Sequence, residues 1–597
     1  MYVLGVNCYL HDSSAALIKD GQVVFAVEEE RLSRIKKDAR FPRLAIEAAL
    51  AFGRIALGDL DAIAFGWNRA AHTPLHTLRS TLTGKLPFSS KHVGAALLTA
   101  ARELHDGNGR RRLEKHFGKV DADKVVFVDH HASHAWSAYG LSGFDESLVL
   151  VMDGRGAWQS TTIYHARGDE LRPLKTFAYP NSLGAFYEAY TDLLGFERGA
   201  DEWKVMGLAA YGEPTYDLSD YLRITTDGYR VNSRALSGRF YGDIAPLVAR
   251  YGPRRNPDKD ITDDDRNLAA SVQKATEDAI FAVVREGIRL TGCKRLSLAG
   301  GVAMNSKANG RLLASGLIDD IFVQPAATDD GAAIGAAIAA HQHLGLPLPR
   351  ARMTHAYLGP AFTDADVEHA LRTYKLPVVR VDHVEQETAS LLANGKIIGW
   401  FQGRMEFGPR ALGNRSILAD PRSVDMRDRV NEVVKFREGW RPFAPSCLEE
   451  VAPTYFAGCT DAPFMILTFD VLEHQRAVIP AVTHADNTAR VQTVSRHTNP
   501  SYWQLIDAFG RLTGVPVIMN TSFNLKGEPI VCSPKDAIRT FYSSGLDFLV
   551  LGHYIVAKDP HWQPTSHLAR ADQPLRAVVD LVGDATVAAK PHTNGKA

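Results

Sequence analysis

Tyr2-Val3-Leu4-Gly5-Val6-Asn7, Ser14-Ala15-Ala16-Leu17-Ile18 and Val23-Val24-Phe25-Ala26-Val27 are three short apolar runs, broken by His11-Asp12 and by Asp20-Gly21. Runs of this length, rich in β-branched residues and bounded by turn formers, read as three strands of a β-meander with a polar group at the first turn. A related pattern recurs near residue 147. There Ser147 to Met152 runs into Asp153-Gly154-Arg155-Gly156 and on to Ser160-Thr161-Thr162-Ile163-Tyr164. The N-terminal part of the chain therefore reads as duplicated.

Two lobes of this kind, each a mixed sheet opening with strand, acidic-glycine turn and strand, are how the actin-like ATPase and sugar-kinase fold builds a cleft between its halves. The expected class is α/β, with an N-terminal domain over residues 1–355. Between the lobes, Val125 to Val128 reads as a buried strand. It delivers Asp129-His130-His131-Ala132-Ser133-His134 to the start of a small-residue helix. His130 and His134 are four apart, so on a helix they share a face and can grip one metal ion. His131 points about 100° away. Asp153, and Asp329 in Thr328-Asp329-Asp330-Gly331, each follow an apolar run at a turn and are the expected completions. Imidazole plus carboxylate suits a divalent ion such as iron or zinc. A solvated helix start with spare histidines fits the same spacing.

Composition narrows the class. A chain of 597 residues exceeds one core, and 45% apolar with 23% charged residues is ordinary for a soluble globular protein. The 68 basic and 68 acidic residues cancel, so no overall field draws in nucleic acid or anionic lipid. Five scattered cysteines suggest reduced thiols in a cytoplasmic protein, and no run is long and apolar enough to read as a membrane span.

Further along, Glu28-Glu29-Glu30-Arg31 to Lys37 carries both signs and reads as a solvated surface segment. Glu202 and Lys204 precede small residues that let backbones approach. Arg295 to Ala299 reads as a strand, Gly300-Gly301 as a tight turn, and Val302 to Leu313 as a helix carrying Asn305. Such a turn offers backbone N–H groups to a phosphate or nucleotide edge. A connector at 356–382 leads to a second domain at 383–560, and 561–597 reads as a mobile tail. The second domain holds Glu406-Phe407-Gly408-Pro409-Arg410-Ala411-Leu412-Gly413-Asn414-Arg415 between two strands, then Lys435-Phe436-Arg437-Glu438-Gly439-Trp440-Arg441. Arginines in a glycine-rich loop (Arg404, Arg410, Arg415) suit bidentate phosphate binding better than stability. Asn520-Thr521-Ser522-Phe523-Asn524 closes a strand with hydroxyls and amides that fit an adenylate or carbamoyl group.

These motifs, in this order over about residues 1 to 560, resemble the ATP-dependent O-carbamoyltransferases of antibiotic and nodulation-factor biosynthesis. The resemblance implies an N-terminal actin-like domain related to the tRNA threonylcarbamoyl-transferring protein, and a C-terminal YrdC-like domain. It implies that carbamoyl phosphate and ATP give carbamoyl-adenylate in the C-terminal domain, and that the carbamoyl group passes to a hydroxylated small-molecule acceptor in the N-terminal domain. The matching positions are His130, His134, Asp153 and Asp329 for a metal, Fe(II) before Zn or Mn. Arg410, Lys435, Arg441 and Ser522 match the positions for carbamoyl phosphate and Mg-ATP, and His11 and Lys36 those beside the transferred group. Glu202, Lys204, Gly300, Gly301 and Asn305 are expected to line the nucleotide or acceptor cleft. Lys37 departs from relatives that carry His there.

Overall fold

A computed structural model describes residues 1–8, 11–67, 109–237, 242–348 and 351–564. The strands of the N-terminal half are β1 (Tyr2–Asn7), β2 (Ser14–Lys19), β3 (Gln22–Glu28), β4 (Ala62–Phe65), β5 (Val125–Phe127), β6 (Glu146–Met152), β7 (Gln159–Arg167), β8 (Glu170–Ala178), β9 (Leu222–Thr225), β10 (Gly228–Val231), β11 (Arg295–Ala299) and β12 (Asp320–Val323). They form two five-stranded sheets of identical plan, β3-β2-β1-β4-β5 and β12-β11-β6-β7-β8, plus the hairpin β9-β10. In each sheet a three-stranded antiparallel meander is followed by two strands added in parallel. The duplication read from the sequence is thus present in the topology.

The lobes exchange helices. Alternation along β1 sends Leu4 and Val6 to an outer core with Ile46 and Leu50 of the Arg43–Gly53 helix, while Val3 faces inward. The inner face is covered by the Ala332–His343 helix, which follows the last strand of the other lobe. Reciprocally, the His130–Ser142 helix, which follows β5, lies on β6, β11 and β12. The two exchanged helices pack on each other in the middle. They touch backbone to backbone at Gly335, where a Cβ would stand 1.6 Å from the Ser133 carbonyl oxygen. Gly335→Ala is expected to force the helices apart and cost about 3 kcal/mol, measured as a lowered denaturation midpoint at unchanged m-value.

The C-terminal half is built on an eight-stranded mixed sheet. Its spatial order is Val378–Arg380, Tyr554–Ala557, Phe548–Leu551, Ile398–Phe401, Arg415–Ala419, Val517–Ser522, Ala444–Leu448 and Gln492–Val494. The segment expected as a connector, 356–382, contributes here: Val378–Arg380 is the edge strand, and Asp364–Thr373 is a helix with a Thr363/Asp366 capping box. Of the expected tail, 565–597 lies outside the described residues, while Trp562 packs on Phe548 at 5.0 Å.

The halves share one apolar core. Asn309 donates to the Ile466 carbonyl (3.1 Å), Lys307 pairs with Asp486 (2.7 Å), and a Cβ on Gly310 would stand 2.1 Å from the Thr468 carbonyl oxygen. Contrary to the reading of Glu28 to Lys37 as a solvated surface, Glu28, Glu29, Glu30 and Arg31 are all buried. Arg31 donates to Glu28 (3.2 Å) and to Glu30, and its guanidinium reaches the Gly408 carbonyl (2.9 Å) across the domain boundary. Alternating sign means a solvated face only where no second body lies against it, and here the second domain does.

A candidate metal centre and a candidate anion site

Asp129 caps the helix that carries the histidines, its carboxylate accepting from the Ala132 amide (3.0 Å), so His130 and His134 project from the first turns on one face. Asp153 stands at the end of β6 and Asp329 in the turn before the exchanged Ala332–His343 helix. One atom from each of these four residues lies within 4.8 Å of the other three. The Nε2 atoms of His130 and His134 are 3.2 Å apart. His130 Nε2 is 3.2 Å from Asp153 Oδ2 and 3.4 Å from Asp329 Oδ1, and His134 Nε2 is also 3.4 Å from Asp329 Oδ1.

Both imidazoles are fully buried. Two nitrogens facing each other at 3.2 Å, flanked by two carboxylates, form a donor set for one divalent cation. His130 Nδ1 meets the Gly66 carbonyl (3.3 Å), a contact that directs Nε2 inward, and Trp67 lies 3.8 Å from the His130 ring. Burial opposes every charge here, yet the pairing wins. His130 is held up at about 9 by Asp329 and Asp153, and Asp153 is held down at about 2 by His130 and His134.

Around this centre the other expected cleft residues divide. Gly300 has φ +89°, and a Cβ there would stand 2.3 Å from the Met152 carbonyl oxygen; the Gly301 amide faces Asp153 Oδ1 at 3.4 Å. Asn305 caps the Ser306–Ala314 helix and pairs with Gln273. The predicted helix from Val302 therefore begins as a 3₁₀ turn at Gly301–Met304. Glu202 accepts from the Gly199 amide (2.6 Å), and burial with Glu188 nearby raises its pKa to about 6. Lys204 pairs with Asp201 at 2.8 Å. His11 is half-exposed, bonded to Asp12 (2.9 Å), and within the field of Asp329.

The second site lies at the domain boundary. Of the three loop arginines, two are structural. Arg415 is fully buried over the Phe401 ring with carbonyl partners, and Arg404 ties the Val24, Leu358 and Gly359 carbonyls. Arg410, like Arg415, has a buried Nε without a partner, and burial pulls its pKa down to about 10. The loop around it is pinned by Glu406, whose Oε1 accepts from the Leu412 (2.7 Å), Asn414 (2.8 Å) and Arg415 (3.2 Å) amides.

Lys435 ends an irregular helical turn, followed by Phe436 at φ +47°, and bonds Ser522 and Asn524 (Oδ1 at 3.0 Å). Burial, then Arg437, Arg441 and Lys36, push its pKa well below the lysine range. Arg490 is likewise pushed down by burial, Arg410 and Arg437. The fields felt by Lys435, Arg437 and Arg490 link Arg410, Arg490, Arg437, Lys435, Arg441 and Lys36 in one cationic cluster. Nε atoms of Arg410, Arg441 and Arg490 and Nη2 of Arg437 are buried without partners. Glu438 offsets Arg441 only weakly, at 3.4 Å. A cluster of this kind fits a polyanion.

Of the residues that the sequence points to, Lys435 bonds Ser522 and lies in the field of Arg441, and Arg410 is linked to them through Arg490 and Arg437. Sequence reading left Arg437 unassigned and passed over Arg490, which ends the short strand Thr488–Arg490 with no flanking motif.

Residues 2–338 match the family model described as Carbamoyltransferase N-terminus and 389–558 the one described as Carbamoyltransferase C-terminus. Together they span most of the chain, which belongs to the carbamoyltransferase family. It is 44% identical over 563 residues to Nodulation protein NolNO of Sinorhizobium fredii, covering 92% of this chain and 80% of that one. To Nodulation protein NolO of Bradyrhizobium diazoefficiens it is 45% identical, covering 72% and 79%. Similarity to solved structures is lower: T. kodakarensis HypF aligns over 58% of this chain and 48% of its own at 13% identity and TM-score 0.34. Among the described residues no helix is long and apolar enough to cross a membrane, and all five cysteines are free and buried.

Proposed function

We propose that this transferase is an ATP-dependent O-carbamoyltransferase working through carbamoyl-adenylate. The observation that supports it is two chemically opposite sites in one body: a cation cluster short of acids, and a buried pair of histidines with a pair of aspartates. In this reading the duplicated lobes are actin-like and the C-terminal sheet is YrdC-like. Free buried cysteines accord with a cytoplasmic protein.

At the cation cluster, Arg410, Arg437, Arg441, Arg490 and Lys435 neutralise carbamoyl phosphate and the ATP phosphates. Water cleaves carbamoyl phosphate to carbamate and phosphate. The carbamate oxygen then attacks the α-phosphorus of ATP, and pyrophosphate leaves. Carbamate is a poor electrophile, and the mixed anhydride gives it AMP as leaving group. Lys435 is suited to this because burial and its cationic neighbours disfavour its charge, and a bound anion would offset both. Ser522, bonded to Lys435, offers a hydroxyl to the carbamoyl group.

In the N-terminal half, His130, His134, Asp153 and Asp329 would hold a divalent cation, iron before zinc or manganese. Such an ion supplies Lewis acidity and orientation when bound. His11, which lies within the field of Asp329, and Lys36 are assigned to orient the carbamoyl carbonyl while an acceptor hydroxyl attacks and AMP leaves. The acceptor is a hydroxylated small molecule; no overall positive field favours nucleic acid. Acceptor selectivity is assigned to 216–264, and to 69–118, of which 69–108 lies outside the described residues.

The test supplies purified protein with ATP and carbamoyl phosphate. The expected result is release of phosphate, and of pyrophosphate dependent on carbamoyl phosphate. Release of ADP instead would make the lobes a kinase and overturn the reading.

A further inference from the structure

The buried turn Glu28 to Arg31 touches three functional groups without belonging to any of them. Glu28 Oε1 accepts from the Gly408 amide at 2.8 Å, and Arg31 donates to the Gly408 carbonyl at 2.9 Å. Both backbone groups of a residue in the second domain are therefore held by the first. Gly408 sits two residues before Arg410, in the loop that Glu406 pins from the other side. It has φ +112°, and a Cβ there would stand 3.0 Å from the Pro325 carbonyl oxygen. Pro325 leads into the turn that presents Asp329.

The same turn reaches the other two groups. Glu30 accepts from the Lys37 amide (2.7 Å) and lies 3.8 Å from the Lys36 ammonium. The Glu29 amide donates to the Ser13 carbonyl (2.8 Å), and the Ser14 hydroxyl donates to the Asp330 carbonyl (2.7 Å), next to Asp329. Four charged side chains buried together are costly to keep, and a surface turn would serve a merely folded chain as well.

We infer that Glu28 and Arg31 are positioning residues that register Arg410 and Lys36 against the metal-ligand turn, fixing the separation of the two half-sites. Resting on the functional reading above, this adds a mechanical link between sites in different domains. Displacing a phosphate-binding arginine by an ångström weakens its contact far more than it weakens the fold.

The test uses the full chain. Glu28→Ala removes the acceptor for the Gly408 amide. Glu28→Gln keeps an oxygen there and removes only the charge. Both lose part of the pairing with Arg31, so both are expected to melt at lower temperature. Affinity for inorganic phosphate, measured by titration calorimetry below both melting points, is expected to part them. Glu28→Ala loses about tenfold or more, whereas Glu28→Gln stays within about threefold of wild type. Arg31→Lys keeps a charge but lacks the fork that reaches Gly408, so it should follow Glu28→Ala and serves where that variant fails to fold. Equal affinities in Glu28→Ala and Glu28→Gln, or a loss that merely tracks melting temperature, would overturn the positioning role. A wild-type chain that binds no phosphate would instead overturn the reading of the cation cluster itself.

Discussion

Arg410→Ala and Lys435→Ala are each expected to slow pyrophosphate release roughly a hundredfold while leaving transfer from supplied carbamoyl-adenylate intact. Each removes one charge-assisted contact to a phosphate whose charge develops in the transition state, a loss of about 3 kcal/mol or roughly a hundredfold in rate. Arg410 is the sharper probe. Its Nε has no protein partner, so truncation breaks no structural bond there. Lys435 also ties Ser522 and Asn524, and its removal loosens that strand end. His134→Ala should give the opposite phenotype, because the cation cluster is untouched: pyrophosphate is released, the adenylate hydrolyses, and transfer fails. Should His134→Ala slow pyrophosphate release as much as Arg410→Ala does in a folded protein, one shared site would replace the two proposed.

The second large effect concerns metal content. The purified chain is expected to bind about one divalent ion, and His130→Ala or His134→Ala to reduce occupancy at least tenfold. Elemental analysis reads both, and full occupancy in the double variant would place the ion elsewhere. Proton competition sets the pH dependence. His130 is raised to about 9 by its carboxylate neighbours and must shed its proton to bind, so apparent affinity should climb with pH and level off near that value. A flat profile from pH 6 to 9 would show that His130 is not a ligand.

Much of the N-terminal fold was legible because its signal is local. Apolar runs such as Ser147–Met152, ending in Asp-Gly turns, announced both meanders, and the i, i+4 spacing of His130 and His134 announced a shared face. What could not be read is what a second body does to a local pattern. Glu28 to Arg31 looks like a solvated turn until a domain 380 residues further on closes over it, as the separation in the Gly408–Glu28 bond shows. Arg490 failed for the same reason, since its company is assembled only by folding. Arg404 and Arg415 erred in the other direction: glycine-rich surroundings suggested ligand contacts, whereas both spend their donors on backbone carbonyls.

The exchange of helices between the lobes bears on synthesis. β1 to β4 emerge from the ribosome early, but the helix that seals their inner face, Ala332–His343, follows roughly 270 residues later, a delay on the order of tens of seconds. Throughout that interval the first sheet has one finished face and one bare apolar face, so the nascent chain is a natural client for chaperones. Any truncation ending before residue 332 should aggregate rather than yield a stable half.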